Sequence, residues 1–129
     1  MVVLSNTTAQ TLQPGQAITF DRLVTHSGCR ECARSGGPVS LRSCGTYRVA
    51  FHGNVTGATA AAPVELSIAV GGAPLAETEM IYTPAAADAV GNVGAETYVG
   101  TCGSGNNVTV VNTGENPITV SPGTALVVG

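Results

Sequence analysis

Short runs in which apolar and polar residues alternate recur along most of this chain. The segments GTYRVAFHGNV, VELSIAVGG and NNVTVVNTG, at residues 45–55, 64–72 and 106–114, each follow this pattern. An alternation of period two is typical of antiparallel strands that bury one face and expose the other. The residues predicted to form the core are Tyr47, Val49, Phe51, Val64, Leu66, Ile68, Val108 and Val110.

Turn signals separate these runs, and helix signals are nearly absent. Glycine-rich clusters lie at residues 71–72, 103–106, 112–114 and 121–123. We therefore predict one all-β domain of about eight to ten short strands, arranged as a sandwich or barrel. The chain has no Trp, whereas immunoglobulin-like sandwiches usually bury one, so a jelly roll is favoured.

The order of strands and turns resembles one known superfamily. The blocks GTYRVAFHGNVT and VELSIAVGGAPLAET, at residues 45–56 and 64–78, resemble the centre of tumour necrosis factor and complement-head domains. Those domains carry a strand of the form Gly-x-Tyr-x-Val-x-Phe, followed by a strand that ends in a glycine turn. The tail NNVTVVNTGENPITVSPGTALVVG, residues 106–129, is similar to the closing strands of the bacterial and prophage versions. These versions include the terminal domains of collagen-like spore-surface glycoproteins.

The resemblance covers residues 39–129, the predicted jelly-roll body, and extends poorly to residues 1–38. We expect residues 1–38 to add N-terminal strands and a Cys-containing loop to the same domain. The resemblance implies an antiparallel jelly-roll sandwich of the tumour necrosis factor type that assembles as a homotrimer. Only 10% of the residues are charged, and we interpret part of this apolar character as interface between copies.

Charge is distributed unevenly along the chain. All five Arg residues precede residue 50; against Asp21 and Glu31, they give residues 1–52 a net charge of +3. The six carboxylates that follow give the remainder −6, and the chain −3 overall. This acidic balance argues against a nucleic-acid partner. The two halves either complement each other between subunits or reflect chance at a low charge count.

One segment carries most of the candidate chemistry. The sequence THSGCRECARSGG, residues 25–37, contributes to a His-x2-Cys-x2-Cys-x11-Cys pattern. A two-residue spacer lets two thiolates reach one tetrahedral ion, and structural zinc takes four ligands. The predicted zinc ligands are His26, Cys29, Cys32 and Cys44.

Other states of these thiols fit the same spacing. Cys29 and Cys32 are close enough in sequence to form a disulfide. Cys44 and Cys102 both lie at predicted strand edges, where a cross-strand disulfide is plausible. All four thiols could equally stay free in a reducing compartment. The sequence leaves zinc, one or two disulfides, and free thiols open.

The sequence favours a non-enzymatic structural or adhesion module. It holds no nucleophile elbow, phosphate loop or His-Glu-x2-His motif, and its two His residues are too few for a cupin-like metal centre. We therefore predict no catalytic residues. The predicted role is surface display on a phage or prophage particle, as a capsid decoration or a fibre head. Alternatives are a spore-surface protein, or a zinc-binding interaction module whose Cys/His loop is the functional site.

The expected partners follow from that role. They are other copies of the chain, and either particle surface proteins or a host receptor or glycan contacted by loops near residues 83–95 and 103–107. No run of about 18 apolar residues is present, so membrane insertion is not expected. The segment MVVLSNTTAQ lacks the features of a Sec signal peptide. We expect cytoplasmic synthesis followed by display on a virion or on a spore or cell surface.

Overall fold

Two antiparallel sheets face each other across an apolar core in the computed structural model of the chain. The structure describes residues 1–28, 31–33, 36–102 and 106–129, with Cys32 described by its backbone alone. The strands are β1 (Val2–Ser5), β2 (Gln10–Leu12), β3 (Arg22–His26), β4 (Glu31–Cys32), β5 (Val39–Leu41), β6 (Gly45–Gly57), β7 (Val64–Val70), β8 (Ala73–Pro74), β9 (Met80–Tyr82), β10 (Val90–Thr101), β11 (Asn106–Asn112), β12 (Ile118–Val120) and β13 (Ala125–Val128).

The first sheet is built around the long strand β6. Strand β10 pairs with β6 along almost its whole length, from Gly45 opposite Thr101 to Thr56 opposite Val90. On the other side of β6, β13 pairs with its middle and β12 with its last residues. Beyond β13 come β1 and then β3, and beyond β12 comes β2. Strands β10 and β3 therefore form opposite edges of this sheet.

The second sheet is built around β11 and β7. Its order is β4, β5, β11 and β7, and β8 and β9 both pair with the far side of β7. A short 3-10 turn, Ala76–Thr78, lies between β8 and β9. Among the described residues, no helix is long and apolar enough to cross a membrane.

The core fills the space between the sheets with the alternating apolar side chains. Each of the eight residues named above from the sequence is buried, with Tyr47, Val49, Leu66 and Val110 fully so. Residues nearer the N-terminus also contribute, although the sequence pattern did not identify them. These are Val2, Leu4, Leu12, Ile18 and Phe20.

As predicted, the chain is an all-β sandwich of two antiparallel sheets. The described residues form thirteen strands, more than the expected eight to ten. The additional strands include very short ones, such as β4 and β8, which have two residues each. Gly71 and Gly72, both in the left-handed backbone region, end β7 and let β8 fold straight back onto it.

Candidate functional site

The segment predicted to hold zinc lies where β3 leads into β4, at one end of the sandwich. His26 closes β3, and its Nε2 lies 3.0 Å from the carbonyl oxygen of Glu31. Cys29 and the Cys32 side chain lie outside the described residues. The predicted roles of both thiols, as zinc ligands or as a Cys29–Cys32 disulfide, therefore stay predictions.

Cys44 forms a disulfide with Cys102, and this corrects one predicted zinc ligand. Gly45 pairs with Thr101 at the end of β6 and β10, and the two cysteines continue that register by one position. Their Cα atoms are 3.9 Å apart. Because the Cys44 sulfur is bonded, it is not available as a thiolate ligand. In the part of the chain that the structure describes, no group of three or more His, Cys, Asp or Glu side chains could hold a metal.

The segments predicted to contact a partner are only partly loops. Residues 83–89 form a loop, but residues 90–95 belong to β10 because they pair with β6. Residues 106–107 begin β11. Residues 103–105 lie outside the described part. The loops at 58–63, 83–89 and 113–117 cluster at the end of the sandwich opposite the disulfide.

An apolar crevice of about 160 Å³ opens beside the segment Ala17–Phe20. Its other walls are the segment Gly36–Pro38, Leu4, Leu126 and β11. The lining carries no carboxylate, imidazole or thiol, and its only side-chain hydroxyls belong to threonines. This lining offers no general acid or base.

The outer face of the first sheet is an extended candidate surface. It is formed by the side chains of β6, β10, β13 and β1 that point away from the core. Several of its central positions are small or only half exposed. These include Val3, Ser5, Ala50, Gly94, Ala125 and Val127.

Its charged residues neutralise each other within the face. Arg48 on β6 donates from Nε to Oε1 of Glu96 on β10 at 2.9 Å, and from its terminal nitrogen to Oε2 at 3.0 Å. This bidentate contact raises the pKa of Arg48, and its hydrogen bonds lower the pKa of Glu96. The face therefore carries this pair as a neutral unit.

One pair of uncharged polar residues on the face is also joined across the two strands. Asn92 donates a hydrogen bond to the side-chain oxygen of Asn54 at 3.1 Å. His52 is exposed beside Gly94 on one side and Ala125 on the other. Apolar side chains border the face on β10, where Tyr98 is 66% exposed and Val90 is 62% exposed. The surface combines internal polar pairing with small and apolar side chains.

Sequence reasoning identified Tyr47 in β6 but missed the Arg48–Glu96 and Asn54–Asn92 pairs. Each pair joins residues far apart in sequence. The alternation of β6 does place Arg48 and Asn54 on its polar face. The partner on β10 is fixed only by the register between the strands.

No protein-family model matches the chain, and no curated protein matches it. Solved structures do match. The structure of Eiger TNF from S. frugiperda superposes with a TM-score of 0.77 at 10% identity, over 98% of this chain and 88% of that one. The globular domain of zebrafish complement 1qA protein gives 0.66 at 12% identity, over 98% and 94%. Murine APRIL gives 0.66 at 16% identity, over 98% and 95%. The chain therefore has the jelly-roll fold of tumour necrosis factor and complement-head domains.

Proposed function

We propose that this chain is a non-enzymatic structural and adhesion module that self-associates through the outer face of its first sheet. The observation that carries the proposal is the internal pairing of that face, with Arg48 bound to Glu96 and Asn54 bound to Asn92. Polar groups that are already paired within a surface lose little hydrogen bonding when a second copy covers that surface.

The side chains around these pairs favour burial against protein. Ala50, Ala125 and Val127 are small or β-branched and lie on the adjacent strands β6 and β13. Tyr98 and Val90 add exposed apolar area at its border. Interfaces between copies of one chain are more apolar and less charged than ordinary protein surface. A copy of the same chain is the partner that fits this face.

We propose a homotrimer as the assembly. The sequence resemblance to the tumour necrosis factor and complement-head superfamily supports threefold association, and the fold is compatible with it. Around a threefold axis the contact is heterologous, so one part of the sheet face of each copy would meet a different part of the next copy.

We further propose that the trimer is displayed on a particle surface, as a capsid decoration or a fibre head of a phage or prophage. The support is the sequence resemblance to prophage and spore-surface relatives, and a spore-surface location is the alternative. The loops at 58–63, 83–89 and 113–117 lie at the end away from Met1 and Gly129. These loops are the part of the trimer that would meet a receptor, a glycan or a neighbouring particle protein.

The proposal is tested by placing a charge in the centre of the face. Ala125→Arg adds a long cation at a half-exposed position on β13 that faces solvent in a single chain. Thr109→Arg adds the same side chain at a half-exposed position on β11 in the second sheet. We expect sedimentation to show trimers for wild type and Thr109→Arg, and single chains for Ala125→Arg with an unchanged circular dichroism spectrum. Equal association of both variants would overturn the proposal.

A further inference from the structure

Several exposed charged side chains other than Arg48 and Glu96 lie on two opposite edges of the sandwich. The sequence places the basic residues in the first half of the chain and most of the acidic ones in the second. The strand order turns this separation along the sequence into a separation in space. Strands β3, β4 and β5 lie at one edge of the two sheets, and β8, β9 and β10 lie at the other.

The contacts between sheets confirm which strands share an edge. On one side, the hydrogen-bond contact between His26 and the Glu31 carbonyl joins the end of β3 to the start of β4. On the other side, the ring of Tyr82 on β9 lies against Gly91 on β10. The edge formed by β3, β4 and β5 is called the basic edge, and the edge formed by β8, β9 and β10 is called the acidic edge.

Among the residues that the structure describes, the basic edge presents two guanidinium groups. Arg22 on β3 and Arg42 just after β5 are exposed, and neither forms an ion pair with another described residue. The nearby acidic residues are already engaged. Asp21 accepts two hydrogen bonds from Thr7, and the side chain of Glu31 is buried. Within the described part of the chain, these two arginines are therefore the charges that this edge offers to a partner.

The acidic edge presents three carboxylates. Glu77 and Glu79 flank the end of the 3-10 turn, and Asp88 precedes β10. All three side chains are exposed, and none forms an ion pair with a described residue. Glu79 also lines a groove between β9 and β10 together with Asn92. The edge is thus negative over both of its sheets.

We propose that the basic edge of one copy docks on the acidic edge of the next copy, so that the assembly is held head to tail. This inference rests on the proposed self-association and specifies its geometry. An edge-to-edge contact around a twofold axis would bring one edge against the same edge, and would place Arg22 and Arg42 near their own copies. Opposite charges on opposite edges favour the heterologous contact, which closes into a ring when the rotation between copies allows it.

Docking between oppositely charged edges makes self-association sensitive to salt. Exposed charges are screened over about 8 Å at physiological ionic strength, so added salt weakens the attraction between the edges. The apolar outer face of the first sheet does not weaken in this way. The dissociation constant of the wild-type assembly should therefore rise with salt, although assembly is not abolished.

The test reverses each edge in turn and then both together. One variant carries Arg22→Glu and Arg42→Glu, a second carries Glu77→Arg and Glu79→Arg, and a third carries all four changes. All four positions are exposed, so each variant should keep the wild-type circular dichroism spectrum. Sedimentation at low salt should show dissociation constants raised at least about tenfold for the first two variants. The third variant, with complementary edges restored, should return to within about threefold of wild type.

The outcomes separate this inference from the function proposed above. If both single-edge variants associate as strongly as wild type, the head-to-tail contact is overturned, and self-association through the sheet face is left intact. Failure of the four-residue variant to recover would also overturn it, because complementarity and not the individual side chains is the claim. A wild-type protein that sediments as a single chain at every concentration would overturn both proposals.

Discussion

The Arg48 guanidinium and the Glu96 carboxylate meet across β6 and β10 in the middle of an exposed sheet face, through two parallel hydrogen bonds. Their backbone positions are diagonal, because Arg48 pairs with Tyr98 and Glu96 pairs with Ala50. The pair lets a surface with few other charges remain neutral. It is the feature that makes this face suited to burial against a second copy.

We predict that breaking this pair weakens self-association more than folding. Arg48→Gln leaves the Glu96 carboxylate unpaired in the contact, and desolvating an unpaired charge is unfavourable. The dissociation constant of the assembly should rise about tenfold or more. The double variant Arg48→Gln, Glu96→Gln removes both charges and should recover part of the loss. Sedimentation measures this, and an unchanged dissociation constant in Arg48→Gln would contradict the role given to the pair.

A second prediction concerns acid stability. The backbone N–H and the hydroxyl of Thr7 donate to the two carboxylate oxygens of Asp21 at 2.8 and 2.6 Å. These hydrogen bonds, led by the one from the hydroxyl, lower the pKa of Asp21 below its ordinary value of 3.8. A lowered pKa means that the folded state favours the ionised carboxylate. Its contribution is present above the unfolded pKa and is lost as pH falls through the folded pKa.

Denaturant unfolding of wild type and Asp21→Asn at several pH values tests this. Wild type should be the more stable protein near neutral pH, and the difference should shrink in acid, below 3.8. Thr7→Val removes the hydroxyl while keeping the side-chain shape, and should reduce the same pH dependence. A difference between wild type and Asp21→Asn that stays constant from neutral pH into acid would argue against the assigned hydrogen bonds.

A third prediction concerns the disulfide. The Cys44–Cys102 bond closes a loop of 58 residues, which restricts the unfolded chain. The chain-entropy relation gives a stabilisation of about 4 kcal/mol for a loop of this length. The variant Cys44→Ser, Cys102→Ser should be less stable by an amount of that order. Reductant should lower the melting temperature of wild type but leave that of the double variant nearly unchanged, and equal sensitivity of both would contradict this.

A fourth prediction uses two glycines of the same strand. A Cβ atom at Gly91 would lie 2.5 Å from ring atoms of Tyr82, whereas a Cβ atom at Gly100 meets nothing within 4 Å. Gly91→Ala should therefore destabilise the fold by about 1–3 kcal/mol through overpacking. Gly100→Ala is the matched control and should be neutral or slightly stabilising. Equal unfolding midpoints for the two variants would show that Tyr82 does not pack on β10 as described.

The strands of the jelly-roll body could be predicted because their signal is local. Residues 45–55 and 64–70 alternate along a single strand, and the structure buries the apolar side of each. The N-terminal region was harder to interpret. Ile18 and Phe20 are buried, but they stand in a turn-rich segment where no period is long enough to detect. Their burial depends on packing against distant strands, which a local pattern does not report.

The sequence VNTG, residues 111–114, lies in the tail that resembles the bacterial and prophage domains, and the structure shows what its Asn does. In VNTG, the side-chain oxygen of Asn112 accepts from the N–H of Gly114 at 3.0 Å. Its side-chain nitrogen donates to the carbonyls of Leu12 and Asn116 at 3.2 and 2.9 Å. This buried amide fixes the turn that leads into the last two strands. The sequence marked the turn, and the structure adds the distant contact with Leu12.

The candidate site could be predicted only in part, because its pairs depend on register. The polar face of β6 follows from alternation, but the partners of Arg48 and Asn54 lie on β10. The sequence could not decide the cysteine pairing either, because Cys44 and Cys102 come together only through the register between β6 and β10. The zinc prediction depended on the spacing of the ligands alone. Cys44 is not a zinc ligand because its sulfur is in the disulfide, and the roles of Cys29 and Cys32 remain predictions.

The most direct test of the central claim is sedimentation equilibrium of the wild-type chain over a range of protein concentrations at low salt. Self-association through the outer face of the first sheet predicts a mass of three chains of 12.8 kDa each. Dilution should then release single chains. A mass of 12.8 kDa at every concentration would contradict the account, because the face would then remain open to solvent.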